Sequence, residues 1–430
     1  MKWIVKMVKH DVVKLAVPLV VLATLFVMGL SAVTNHERVD FCQLENRFGN
    51  EYPEWEDSLW LSGEWQRQAT DAVSDRLPFV KGVKSSFFWL RNGLLFAMQK
   101  RMYSFTDYYV NFRRDVFFYG DKEDFSLLYC AKPLSDKRQS IMQTMAGKIN
   151  SEASGNPGVG FYLYYVTKDD DMRFDNGRVY DYFGQLCSLT NLPETHVDRL
   201  KVGDFCTFRR FFYRTDHHWQ CFGSYQGYKD IFRLLGLDEQ GERLNEPVAD
   251  PDSTLGVPDD SPPVLANGEP RPVLVSRMYH GSKCNVTGTA GKFQCKMYAY
   301  QFNYSPMKIT VDGKPSKYGN EDFYLHNKNV SEEFEISYGK MYGDDIGELV
   351  FSTGRSDRPN ILVIGNSYDN PLLKLIAGHY NTLYSIDLRW YEKQKGNPFC
   401  MDDYIRRHNI TTVLFVGSGT MYYSSDFLNF

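Results

Sequence analysis

The sequence predicts an α/β protein: a parallel sheet flanked by helices, carrying an antiparallel β-rich insertion. Three observations support this. Val159 to Val166 is an unbroken β-prone run closed by Lys168-Asp169-Asp170-Asp171, the pattern of a strand buried on both faces of a parallel sheet. From residue 359 onward strand-like and helix-like stretches alternate, which calls for parallel pairing through right-handed crossovers. Residues 238 to 358 instead combine an Asp- and Pro-rich loop with short strands, a pattern that suits antiparallel pairing.

Size and composition agree with that class. The 430 residues, 43% hydrophobic and 15% aromatic, are ample for one large or two smaller packed domains. A formal net charge of -4, with basic residues scattered beyond the first fifteen positions, leaves no electrostatic footprint for a polyanion. Nucleic acid is thereby excluded as an expected partner.

Residues 1–37 read as a cytoplasmic tail and a transmembrane signal anchor. Lys2, Lys6, Lys9 and Lys14 precede Leu15 to Val33, nineteen residues without a charge. As a helix this run would reach roughly 28 Å, enough to cross a bilayer core. The basic flank then holds the N-terminus in the cytoplasm and places the main domain outside, at the cell surface. A cleavable signal peptide is the competing reading, since Gly29 and Ser31 offer small residues to a peptidase; the length of the run favours the anchor.

Residues 38–150 read as a helical arm packing on the core. Trp60, Trp65, Ala69 and Val73 recur at helical spacing, 84 to 99 is a second helical stretch, and 134 to 152 is a third, capped by Ser135 and stopped at Gly155-Asn156-Pro157-Gly158. Residues 151–237 open the sheet domain with the Val159 strand, a covering helix from Tyr180 to Leu189, and a helix from Ser224 to Leu235. In the insertion, Met297 to Asn303 reads as a strand and Lys308 to Lys314 as a hairpin turning on Asp312-Gly313. Residues 359–430 complete the sheet domain: strand Ile361 to Gly365, helix Pro371 to His379, strand Thr382 to Leu388, helix Asp402 to Asn409, strand Thr412 to Gly417.

Eight cysteines in an exported chain permit disulfides, and Cys284 with Cys295, flanking a Gly/Thr-rich turn, are the favoured pair. There is no C-x-x-C spacing, and the histidines outside one central pair are isolated. Neither a structural zinc site nor a cofactor is expected.

Chemistry concentrates in two places. Thr215-Asp216-His217-His218-Trp219 supplies a carboxylate and two imidazoles, and Ser367 follows the apolar run Ile361 to Gly365. In an open parallel sheet ligands collect beyond the carboxyl ends of strands, which is where Ser367 falls. A serine hydroxyl needs a base within hydrogen-bond reach, and that base needs a carboxylate to set its tautomer. Asp216 and His218, two apart, share one side of an extended backbone, so adjacent His217 would point elsewhere. Two other readings stay open: histidines that only make structural hydrogen bonds, and a metal site of Asp216, His217 and His218, which lacks a second ligand cluster.

These residues carry a family resemblance. Thr215 to Trp219 followed by Gly223-Ser224-Tyr225, then Gly365-Asn366-Ser367-Tyr368 and Ile386-Asp387-Leu388-Arg389-Trp390-Tyr391, resemble the bacterial DHHW-motif proteins, themselves similar to the SGNH-like proteins of alginate O-acetylation. Glu45-Asn46-Arg47 and Asp75-Arg76-Leu77-Pro78-Phe79 match the same pattern. The resemblance implies an SGNH-hydrolase-like sheet with a permuted motif order, the Asp-x-His pair preceding the serine. It implies Ser367 as nucleophile, His218 as base and Asp216 as orienting acid. Asn366 and Tyr368 become candidates for the oxyanion site. Arg389 becomes either an anchor for an anionic or polar substrate group or an ion pair at the sheet edge. The implied function is an O-acetyltransferase or esterase acting on cell-envelope polysaccharide, with a membrane-bound O-acyltransferase as the partner that delivers acetyl groups. A non-catalytic glycan-binding scaffold on the same fold is the alternative.

Overall fold

The computed structural model describes residues 18–20, 22–34, 50–77, scattered helical positions between 82 and 94, 116–120, 125–129, 133–172, 180–247, 273–278, 281–283, 295–319 and 337–430. The described residues up to 101 belong to one compact unit and those from 102 onward to a second.

In the first unit, α1 (Asp57–Leu61) leads through Gly63 into α2 (Glu64–Arg76). Trp55, Trp60 and Trp65 pack their rings at 4.9 to 5.5 Å centroid separations, and Arg76 donates to the Asn50 carbonyl. The helix expected over 84–99 lies mostly outside the described residues. The membrane anchor expected at Leu15 to Val33 requires correction: among the described residues no helix is long and apolar enough to cross a membrane. That finding overturns the single-pass placement, because an apolar window in the sequence is not by itself a membrane-spanning helix.

The second unit begins with a hairpin, β1 (Val116–Gly120) and β2 (Phe125–Tyr129). Then come α3 (Asp136–Gly155), β3 (Gly160–Tyr165), α4 (Tyr182–Leu189), β4 (Val197–Arg199), α5 (Phe205–Phe211) and α6 (Cys221–Leu234). The insertion contributes β5 (Val273–Met278), β6 (Cys295–Ala299), β7 (Lys308–Val311), β8 (Lys314–Pro315), α7 (Tyr338–Tyr342) and β9 (Glu348–Ser352). The chain closes with β10 (Asn360–Gly365), α8 (Leu373–Ala377), β11 (Thr382–Ile386), α9 (Leu388–Lys395), α10 (Met401–His408), β12 (Ile410–Gly417) and α11 (Gly419–Tyr423).

Among the described residues, eight strands form the central sheet in the order β4-β3-β12-β10-β11-β9-β7-β8. The pairs from β4 to β11 are parallel, and those from β11 through β9 and β7 to β8 are antiparallel. The insertion therefore extends the main sheet, while β5 and β6 pair separately. Its hairpin turns where the sequence places it: Asp312 and Gly313 both adopt positive φ (51° and 73°), the geometry that joins twisted antiparallel strands in two residues.

Side-chain alternation explains why both faces of the sheet are covered. Ile361 and Val363 of β10 enter one buried cluster with Tyr228, Ile231, Met341 and Ile376. Leu362 and Ile364 enter the other with Met145, Ile149, Leu186 and Tyr404. Each such fully buried aliphatic side chain contributes about 1.5–3 kcal/mol. Ser135 caps α3 by accepting from the Arg138 amide. Cys284, half of the favoured disulfide pair, lies outside the described residues.

Candidate active site

Strand β10 sits between β12 and β11, so the chain leaves it toward β11 and later returns past it to β12. Such a switch point opens a crevice at the carboxyl ends of the strands. Asn366-Ser367-Tyr368-Asp369 forms the turn there, closed by the Asp369 amide donating to the Asn366 carbonyl at 2.8 Å.

The Asp-His-His segment reaches the same end of the sheet. Phe212 and Trp219 form an antiparallel bridge, with the Tyr213 amide on the His218 carbonyl and the Gln220 amide on the Phe211 carbonyl. Residues between them are pinched into a loop. Trp219 is wholly buried beneath it and meets Tyr368 edge-on at 5.8 Å. The Tyr368 hydroxyl donates to the His217 carbonyl at 2.8 Å, tying this loop to the serine turn.

Side chains then line up. Ser367 Oγ is 2.8 Å from His218 Nε2, and His218 Nδ1 is 2.6 Å from Asp216 Oδ1. Asp216 Oδ1 also accepts from the His218 amide at 2.9 Å, and Oδ2 from the Ser282 amide at 2.7 Å. Burial works to raise the Asp216 carboxyl, but His218, His217 and these hydrogen bonds outweigh it and hold the group well below the usual carboxylate range. Asp216 is thus an anion at neutral pH, suited to fix the imidazole tautomer and to face an imidazolium.

His217 does not turn away, because the loop is bent rather than extended. Its ring centroid lies 3.8 Å from that of His218, and its Nδ1 is 2.7 Å from Ser282 Oγ. Loss of hydration, and then the neighbouring His218, push its basicity down, so it stays neutral.

Two contributions come from the insertion and carry no signal in sequence spacing. Ser282 belongs to a strap, Gly281 to Lys283, that crosses the loop. A Cβ on Gly281 would stand 2.3 Å from the Thr215 carbonyl oxygen, so the strap lies this close only with glycine there. The Lys283 amide donates to that carbonyl, and its ammonium pairs at 2.6 Å with Asp169 just beyond β3, both side chains 1% exposed. Tyr338 is the second: its ring stacks on His218 at 3.8 Å and 4°, and its hydroxyl donates to the Ser367 carbonyl at 2.9 Å.

The remaining candidates are placed as follows. Asn366 Oδ1 accepts from the Tyr368 amide at 3.3 Å, which leaves Nδ2 as a donor beside Ser367. The Tyr368 hydroxyl is committed to His217. Arg389 reaches Asp387 at 2.5 and 3.0 Å and Asp345 at 2.7 Å, with Phe427 beneath its guanidinium. Asp216, His217 and His218 have ligand atoms within 4.8 Å of one another and are able in principle to hold a metal ion. An ion there would have to replace the 2.6 Å Asp216–His218 contact, which leaves no room between the two atoms.

Among known proteins, no family model matches the chain and no curated protein does. Solved structures similar to it include PatB1 of Bacillus cereus with a sulfonyl adduct, at 18% identity and TM-score 0.49, covering 73% of this chain and 98% of that one. A DHHW family protein from Eubacterium siraeum is similar at 12% identity and TM-score 0.47, covering 73% and 93%. The O-acetyltransferase domain of Pseudomonas putida AlgJ is similar at 12% identity and TM-score 0.36, covering 74% and 92%.

Proposed function

We propose that the chain is a serine-dependent O-acetyltransferase acting on a polysaccharide, with Ser367 as nucleophile, His218 as base and Asp216 as orienting acid. The supporting observation is the continuous line from Asp216 Oδ1 through the imidazole to Ser367 Oγ, with contacts of 2.6 and 2.8 Å. Acetyl and polysaccharide come from the motif resemblance, as does a membrane-bound O-acyltransferase partner supplying the donor.

In the first half-reaction Ser367 Oγ attacks the acetyl carbonyl while its proton passes to His218 Nε2. The tetrahedral oxyanion is met by Asn366 Nδ2 and the backbone N–H of Ser367, since the Tyr368 and Asp369 amides are engaged within the turn. The leaving group departs with the proton from His218, and an acetyl ester remains on Ser367. An acceptor hydroxyl then loses its proton to His218, attacks that ester, and carries the acetyl group away, restoring Ser367. If water takes the acceptor's place, the same residues act as an esterase. Arg389, engaged by two carboxylates, is assigned to holding the start of α9.

The test is turnover of a chromogenic acetate ester by the full chain, with and without a soluble oligosaccharide acceptor. Turnover abolished in Ser367→Ala and His218→Ala supports the enzyme, and acetylated oligosaccharide identifies the transferase. Activity unchanged in both variants rejects the triad, and no turnover in the parent protein favours the scaffold.

A further inference from the structure

We propose that Tyr338 is a positioning residue that sets the plane of the His218 ring and the Ser367 turn together. The inference rests on the Ser367–His218 reading above and assigns a part of the insertion to it.

The Asp216 carboxylate fixes one edge of the imidazole, at Nδ1, but a single hydrogen bond still lets the ring rock about its Cβ–Cγ bond. Rocking would carry Nε2 off Ser367 Oγ. Tyr338 opposes it, lying face to face with His218 at 3.8 Å and 4°. His217 stands at the same 3.8 Å and 36°. Two rings cannot share one face at that separation, so His218 is held between them.

Tyr338 is itself fixed. It is 4% exposed, opens a helix capped by Ser337, and packs against Tyr342 at 5.0 Å. Its hydroxyl donates at 2.9 Å to the Ser367 carbonyl, so the ring that orients the base also anchors the backbone of the nucleophile. Burial raises the phenol well above its ordinary range, which keeps it a donor throughout. When His218 takes the serine proton, the electron-rich face of Tyr338 also favours the resulting cation.

The experiment measures labelling of Ser367 by a small sulfonyl fluoride, followed by peptide mass spectrometry, alongside nitrogen-15 spectra of the histidine rings. In Tyr338→Leu the labelling rate falls about 10- to 100-fold, and the His218 signals change from one Nδ1–H tautomer to a mixture. Tyr338→Phe keeps the flat face and loses one hydrogen bond, so its rate stays within about fivefold of the parent with a single tautomer. Tyr338→Met serves if the leucine variant does not fold. A folded Tyr338→Leu or Tyr338→Met protein that labels at the parent rate with unchanged His218 signals overturns the proposal. If the parent itself is not labelled at Ser367 the nucleophile reading fails, and the ring spectra still decide whether Tyr338 orders His218.

Discussion

His218 Nε2 lies 2.8 Å from Ser367 Oγ although 149 residues separate them along the chain. The intervening insertion is threaded through the site: it adds strands to the sheet, a strap over Asp216 and a ring under His218.

If these two side chains act as one unit, removing either abolishes it. Ser367→Ala and His218→Ala each lower kcat for an acetate ester by about 10³- to 10⁶-fold. The double variant is no slower than the worse single one. Steady-state kinetics on all three proteins checks this, and additive losses would contradict a shared mechanism.

Asp216 accepts from three N–H groups, those of the His218 amide, His218 Nδ1 and the Ser282 amide. Asp216→Asn offers one acceptor oxygen and sets an NH₂ group against a donor. The expected result is a kcat loss of roughly 10²- to 10⁴-fold with destabilisation of about 1–3 kcal/mol, read by kinetics and denaturant melts.

The Lys283–Asp169 pair anchors the strap from almost complete burial. Lys283→Met removes the ammonium paired with the buried Asp169, leaving it only the field of Lys168 and the Tyr129 amide, and costs about 3 kcal/mol. Combining it with Asp169→Asn recovers part of that loss. Melts of the two single variants and the double variant give the coupling, and simple additivity would show that the pair is not what holds the strap.

Glu242 is held at about 2, below its usual 4.5, first by hydrogen bonding to Arg355 and further by His379, against the opposing effect of burial. A depressed carboxyl contributes stability that is present above the unfolded value and disappears as pH falls from about 4.5 toward 2. Allowing for solvent screening of the partly exposed arginine, that contribution is about 1–2 kcal/mol. Melts of parent and Glu242→Gln should diverge at pH 7 and converge near pH 2.

A metal hydrolase built on Asp216, His217 and His218 would lose turnover to a chelator and regain it with added ion. The serine mechanism predicts ester turnover unchanged by prolonged dialysis against chelator.

Much of the sheet was legible because it depends on local pattern. The Val159 run, the Ser135 cap and the Asp312-Gly313 turn each declare themselves within a few residues, and the strand preceding Ser367 is marked by its apolar run. What was illegible depends on contacts distant in sequence. Tyr338 and Ser282 meet the site only after the insertion folds back, and neither stands in a telling motif. Reading the β11 strand on to Leu388 hid α9, although Asp387 caps it and Gly396 ends it in a left-handed conformation. An extended backbone would point His217 away from His218; the Phe212–Trp219 bridge bends the loop and sets the two rings side by side.

The nucleophile is tested most directly by treating the parent chain and His218→Ala with a sulfonyl fluoride and mapping the modified peptide by mass spectrometry. One adduct is expected, on Ser367, formed rapidly in the parent and at most at a trace in His218→Ala. Labelling at another residue, or equal labelling of Ser367 in both proteins, would contradict it.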